Sequence, residues 1–263
     1  MRDWLDVAQA YRLPGLRLVL SAGVPGPWGE AAKGLFFAKR IPYTRVRQMP
    51  GEANAELRAW TGFDNAPQAV YQDEPARTAW PELIFLAERL APEPALVPPS
   101  PAERTQMFGL THELAGENGL GWSRRLMMLD GTLSLPASVL PEDHPVRAQV
   151  QALGRKYGYS QPAAQAAPAR VAGILRLLSD QLAEQQRRGR RHLVGDRLSA
   201  LDIYWAAFAA MISPLPEPQC AMPDGMRRVY EISDPALRSA CSPELLAHRD
   251  FVYREHLELP IQL

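Results

Sequence analysis

The N-terminal third of the chain alternates between short apolar runs and helical stripes. Residues 16–22 (LRLVLSA) are rich in β-formers and stop at the cluster Gly23, Pro25, Gly26, Pro27, which predicts a buried strand followed by a turn. From 27 to 40 the period changes. Ala31, Leu35 and Ala38 fall on one stripe, and Pro27 suits the first turn of a helix. A second strand is predicted over 43–47, so strand, helix and strand form a βαβ unit with a parallel pair. A short helix over 52–60 and a strand over 66–71 follow; Pro67 cannot donate to a ladder and belongs at a sheet edge or turn. Residues 78–90 then place Leu83, Leu86, Ala87 and Leu90 on a core-facing helical stripe.

Prolines crowd 91–101, and beyond them strand patterns vanish. This predicts an N-terminal extension at 1–13, an α/β unit at 14–90, a linker at 91–101 and an all-helical unit at 102–263. Helices are predicted over 103–117, 146–157, 171–188 and 244–257, with an Ala/Pro patch at 161–169 and a long Pro-rich connection at 213–242. The sharpest local signal is LVGDRLSALDIYWAAF. Ser199 stands as N-cap, Asp202 three residues on can reach back to it, and Leu198 with Ile203 form a hydrophobic staple. Capping accounts for Ser199 and Asp202 without hydrolase chemistry.

With 46% hydrophobic residues in 263, a substantial core is affordable. Lys plus Arg and Asp plus Glu number 29 each, so no global basic field exists to hold a nucleic acid. The longest apolar run, 203–212, is about half a membrane span, and the N-terminus lacks the apolar core of a signal peptide. Two cysteines, Cys220 and Cys241, without CxxC spacing, point away from a disulfide framework or a metal site. A soluble, cytoplasmic protein acting on a small molecule is the expectation.

The capped, buried helix after Gly195 resembles the folding motif in the helical domain of glutathione transferases. Three further pieces agree with that family in order and spacing: the strand-turn-helix at 16–40, the Ala66-Pro67 pair before a strand, and the helix leading into the proline linker. The resemblance spans roughly residues 14–257 and implies a cytosolic, bacterial-like glutathione transferase with a divergent active site, built as a thioredoxin-like α/β domain plus an all-α helical domain. It further implies a homodimer, glutathione as co-substrate, and a cis bond before Pro67 whose preceding residue, Ala66, pairs with the cysteinyl main chain of glutathione.

The departures bear on chemistry. In the family a Ser, Tyr or Cys near the start of the first helix faces the glutathione sulfur and favours the thiolate. The matching stretch, Val24-Pro25-Gly26-Pro27-Trp28-Gly29, carries no hydroxyl or thiol, which leaves the backbone at Gly26 and Trp28 as candidates. Ser21 and Tyr43 are the nearest side-chain hydroxyls, and neither is at the usual position. The Glu-Ser pair that holds the γ-glutamyl group aligns with Thr78-Ala79, so Thr78, Ala79 and the helix N-terminus after them are the candidate glutathione contacts beside Trp28, Ala66 and Pro67. The ammonium then needs Asp73, Glu74 or another subunit. Phe108, His112 and Glu113 fall where the family lines its acceptor-substrate pocket.

Bland alternatives stand beside each of these. Trp28 either stacks on substrate or plugs an unused pocket, and His112 and Glu113 point to different sides of one helix. Arg124-Arg125 reads as an anion site or as structural ion pairing, and the arginines at 187–191 suit a helix C-terminus. His248-Arg249-Asp250 lacks every companion of the kinase motif it spells. Two functions follow: conjugation or other transformation of a small apolar electrophile with glutathione, or non-catalytic binding on the same scaffold. A lyase, reductase or dehalogenase would differ from the first only in substrate.

Overall fold

The structure, a computed structural model, describes residues 4–263. The N-terminal part contains α1 (Val7–Ala10), β1 (Leu16–Ser21), α2 (Pro27–Ala38), β2 (Tyr43–Gln48), α3 (Ala55–Thr61), β3 (Gln68–Tyr71) and α4 (Trp80–Leu90). The strands form one mixed sheet in the order β2-β1-β3. β1 runs parallel to β2, from Leu16 opposite Tyr43 to Ser21 opposite Gln48, and antiparallel to β3. The βαβ unit therefore forms where the apolar run, the Gly/Pro turn and the helical stripe after it predict it. A further strand is reduced to a single bridge, Ala69 with Arg77. At the opposite edge Leu5 pairs with Val46, so part of the N-terminal extension joins the sheet and covers an edge that would otherwise present free backbone groups.

The remainder is helical: α5 (Pro101–Ala115), α6 (Leu120–Leu133), α7 (Pro145–Lys156), α8 (Gln161–Arg187), α9 (Ala200–Phe208), α10 (Asp224–Tyr230), α11 (Pro235–Ser239) and α12 (Pro243–His256). α8 begins ten residues before the apolar stripe at Val171, because Ser160 caps it by accepting from Ala163 N–H, and it carries Pro168 within its length. The Ala/Pro patch is thus part of a helix. The Pro-rich connection likewise folds as α10 and α11.

α9 is the central element. All nine of its residues are buried, and it packs on α2, α5 and α12. Leu18, Leu35, Ile84, Met107, Leu175 and Trp205 belong to one continuous core that joins the sheet layer to the helices; each large apolar side chain so buried contributes about 1.5–3 kcal/mol. Trp205 Nε1 donates to Leu245 O at 2.9 Å, which satisfies its one polar atom. Gly34 lets α2 approach this helix closely: a Cβ there would stand 2.6 Å from Ile203.

Asp202 explains why α9 starts where it does. Its carboxylate accepts from Ser199 N–H and Ser199 Oγ, each at 2.8 Å, closing the box with Ser199. It also accepts from Leu193 N–H at 2.8 Å and pairs with His248 Nε2 at 2.9 Å. One side chain thus ties the loop before α9 to α12.

Candidate functional site

A cavity of about 810 Å³ lies between the sheet and the helical part. Its floor is the C-terminal end of β1 and the opening of α2. Gly26, Trp28, Glu30 and Ala66 line it from the first side, Arg125 and Leu153 from the helices, and Gln262 from the C-terminal tail. Gly26 is the N-cap of α2. With Pro27 lacking an N–H, the amides of Trp28 and Gly29 are left without a carbonyl partner at the positive end of a twelve-residue helix.

Across the cavity the Ala66-Pro67 bond is cis, and Ala66 offers a backbone N–H and C=O that take no partner among the described residues. Two stretches of free main chain, at the start of α2 and before β3, therefore face one space. That arrangement can hold an extended peptide by backbone pairing on one side and an anion or thiolate on the other.

The side chains around them are mostly committed. Ser21 lines the cavity, but its Oγ donates to Gln48 Oε1 at 2.7 Å. Tyr43 lies at the other end of β2 and borders a different cavity. Lys33 Nζ sits 2.9 Å from Glu30 Oε2 and 2.8 Å from Gln262 O, so the buried pair anchors the C-terminal tail. Burial pushes the Glu30 carboxyl up, with Lys33 opposing. At the rim Lys156 of α7 bonds Asp64 at 3.0 Å, bridging the two sides. The Lys156 bond holds the Asp64 carboxyl below its ordinary value.

Trp28 is a wall of this space, built into the packing. Its Nε1 donates to Ala115 O at 2.9 Å, and its ring meets Phe208 edge-on at 4.9 Å. The guanidinium of Arg125 lies over it, 4.8 Å from the ring centre. A Cβ at Gly121 would stand 2.5 Å from Phe208 and 2.7 Å from Trp28. Gly121→Ala is therefore expected to destabilise the protein by about 1–3 kcal/mol through overpacking, read as a lower urea midpoint; an unchanged midpoint would show that this packing is loose.

The other sequence-derived candidates lie elsewhere. The amides of Thr78 and Ala79 both donate to Glu82 Oε2, at 3.1 and 3.0 Å, so the start of α4 is capped from within and does not line the cavity. Phe108 stacks on Phe85 at 5.4 Å, His112 lies beside Trp80, and Glu113 pairs with Arg170 at 2.6 Å. These three lie against α4 and α8 and do not line the cavity. Glu74 is held by Arg77 and Arg89, whose hydrogen bonds lower its carboxyl, and Asp73 borders a separate cavity beside Arg17. The apolar wall that α5 was expected to supply comes instead from α7, which the sequence marks only as one more amphipathic helix.

Arg124 and Arg125 divide the roles left open for them. Arg124 is buried, bonds Met211 O at 2.8 Å and Tyr230 O at 3.1 Å, and burial pulls its guanidinium down to about 10. It is a structural clamp on carbonyls. Arg125 faces the cavity.

Comparison with solved structures gives the fold its class. A glutathione transferase family member from Pseudomonas fluorescens, solved with two glutathione bound, is 13% identical with a TM-score of 0.61, covering 95% of this chain and 94% of its own. Ure2p in complex with glutathione is 12% identical with a TM-score of 0.63, covering 94% of each chain. A glutathione S-transferase from Methylobacterium radiotolerans, in complex with glutathione sulfonate, is 15% identical with a TM-score of 0.57, covering 91% of each. No family model matches the sequence, and no curated protein does. The chain has the glutathione-transferase fold, a thioredoxin-like sheet followed by an all-helical part. Among the described residues no helix is long and apolar enough to cross a membrane.

Proposed function

We propose that this cavity binds glutathione and brings its thiol against a small, largely apolar electrophile, as a glutathione transferase does. The observation that carries this reading is the pairing of two free backbone stretches, Ala66 and the opening of α2, on one cavity. Three similar folds are described with glutathione or its sulfonate bound, which supports the same ligand here. Catalysis would consist of holding two reactants together and stabilising a thiolate through the Trp28 and Gly29 amides and the helix end. The reading includes a cytoplasmic homodimer: the thiols of Cys220 and Cys241 are free, and Phe85, 45% exposed and stacked on Phe108, offers an apolar outer face.

A second reading, a non-catalytic binder on this scaffold, is favoured by the missing hydroxyl at Gly26 and by the commitment of Ser21 to Gln48. Titration with reduced glutathione separates binding from its absence. A ligand that binds only the folded state at a hundred times its Kd adds about 2.7 kcal/mol, so the melting temperature is expected to climb with millimolar glutathione. A flat response would end the transferase reading.

A further inference from the structure

Three cations line the cavity, and two are already neutralised: Lys33 by Glu30 and Lys156 by Asp64. Arg125 is different. Its guanidinium lies over two aromatic rings, 4.8 Å from the centre of Trp28 and 4.2 Å from that of Tyr157. Tyr157 is itself braced edge-on by Trp122 at 5.1 Å. Among the described residues Arg125 forms no ion pair and no hydrogen bond, so its N–H groups are left to the cavity. Cation-π contact holds the guanidinium in place without using its N–H groups, and free guanidinium N–H groups can match a carboxylate in two parallel hydrogen bonds.

A second unpartnered donor lines the same cavity. Tyr230, at the end of α10, lines the cavity and is 9% exposed, and its Oη has no hydrogen-bond partner among the described residues. Arg124 fixes its backbone through Tyr230 O, so the ring is positioned rather than loose. Burial pushes the phenol up to about 12, with the Arg125 charge opposing, so it stays a proton donor at neutral pH.

We infer that Arg125 and Tyr230 form an anion subsite, and that the second substrate of this cavity is an apolar molecule carrying a carboxylate. This rests on the reading that the cavity is the substrate site. The chemistry recognised is a carboxylate, which the acceptor or glutathione itself could supply. The apolar body fits beside Val150 and Leu153 of α7.

The test uses calorimetric titration of the full chain with 2-naphthoate and its neutral isostere 2-naphthamide, with and without saturating reduced glutathione. Wild type is expected to bind the acid at least about ten-fold tighter than the amide, the worth of a charge-assisted hydrogen bond. Arg125→Gln should bring that ratio close to one, measured beside its glutathione affinity. Equal affinities of wild type for acid and amide would overturn the subsite. So would an Arg125→Gln variant that loses glutathione but still prefers the acid, since the cation would then serve the tripeptide's own carboxylate.

Should Arg125→Gln loosen the Trp28 wall and lower the melting temperature, Tyr230→Phe removes only an oxygen. It is expected to reduce the preference by about five-fold, and an unaltered ratio there would overturn the phenol's part. A clear acid preference in a protein that shows no response to glutathione would uphold the subsite while removing the transferase reading.

Discussion

An Asp202→Ala variant is expected to lose about 3–5 kcal/mol of stability, measured by chemical denaturation at neutral pH, because it strips a buried hub of every partner at once. Asp202 is fully buried and accepts from Ser199, Leu193 and His248. Its removal orphans donors on three segments, a sizeable part of the roughly 5–15 kcal/mol that hold a domain together. Loss of only about 1 kcal/mol would mean the cap acts alone, without the tie to α12.

The same cluster sets the acid sensitivity. Burial by itself would raise the Asp202 carboxyl, but the bond and charge of His248, the charge of His192 and the Leu193 amide outweigh it, and the net direction is down. His192 is pushed down, first by burial and then by His248, His256 and Arg191, against the pull of Asp202. His256 is also lowered, first by burial. Folding therefore disfavours protons on all three. The histidine contribution is complete above about pH 6.5 and declines as the pH falls below it, whereas that of Asp202 persists down to about pH 4 before falling. Wild type should thus show a lower urea midpoint at pH 5.5 than at pH 7.5. Glu30, which burial raises, pulls the other way, so the histidine role is read as the part of this difference that a His192→Gln variant loses; a variant that keeps the full difference would reject it.

What could be read in advance was what local chemistry encodes. The strand-turn-helix at Leu16 to Ala38 and the cap at Ser199 and Asp202 depend on neighbours in sequence, so a period and a spacing reveal them. The cavity was half legible. Gly26, Trp28 and Ala66, which line it, were named through the resemblance to glutathione transferases, whereas Tyr230 sits in a stretch whose prolines read as a connection and which folds as short helices against Arg124. α6 was missed altogether: Gly121, Gly131 and polar residues weaken its stripe, and its packing on α8 supplies what propensity does not. Phe108, His112 and Glu113 were assigned to a pocket by the resemblance alone, and only tertiary packing shows that these side chains meet α4 and α8.

Gly26→Ser is expected to raise turnover, an uncommon direction for a substitution. Gly26 has φ −63 and ψ 120, ordinary values for an L-residue, and a Cβ there meets nothing within 4 Å. Serine is as good an N-cap as glycine or better, so the melting temperature should hold. Its oxygen can accept from a free amide of the first turn while its proton points into the cavity, where a thiolate would lie. A hydrogen bond to a charged acceptor is worth about 1.5–3 kcal/mol, or roughly ten- to hundred-fold in kcat/KM for conjugation of glutathione with 1-chloro-2,4-dinitrobenzene. Gly26→Ala fills the same space without a hydroxyl and should match wild type, so a gain confined to serine isolates the hydrogen bond from helix stability. If glutathione binds all three and none conjugates it, thiolate stabilisation is not what this site lacks, and the scaffold is better described as a binder whose free amides hold the tripeptide without activating it.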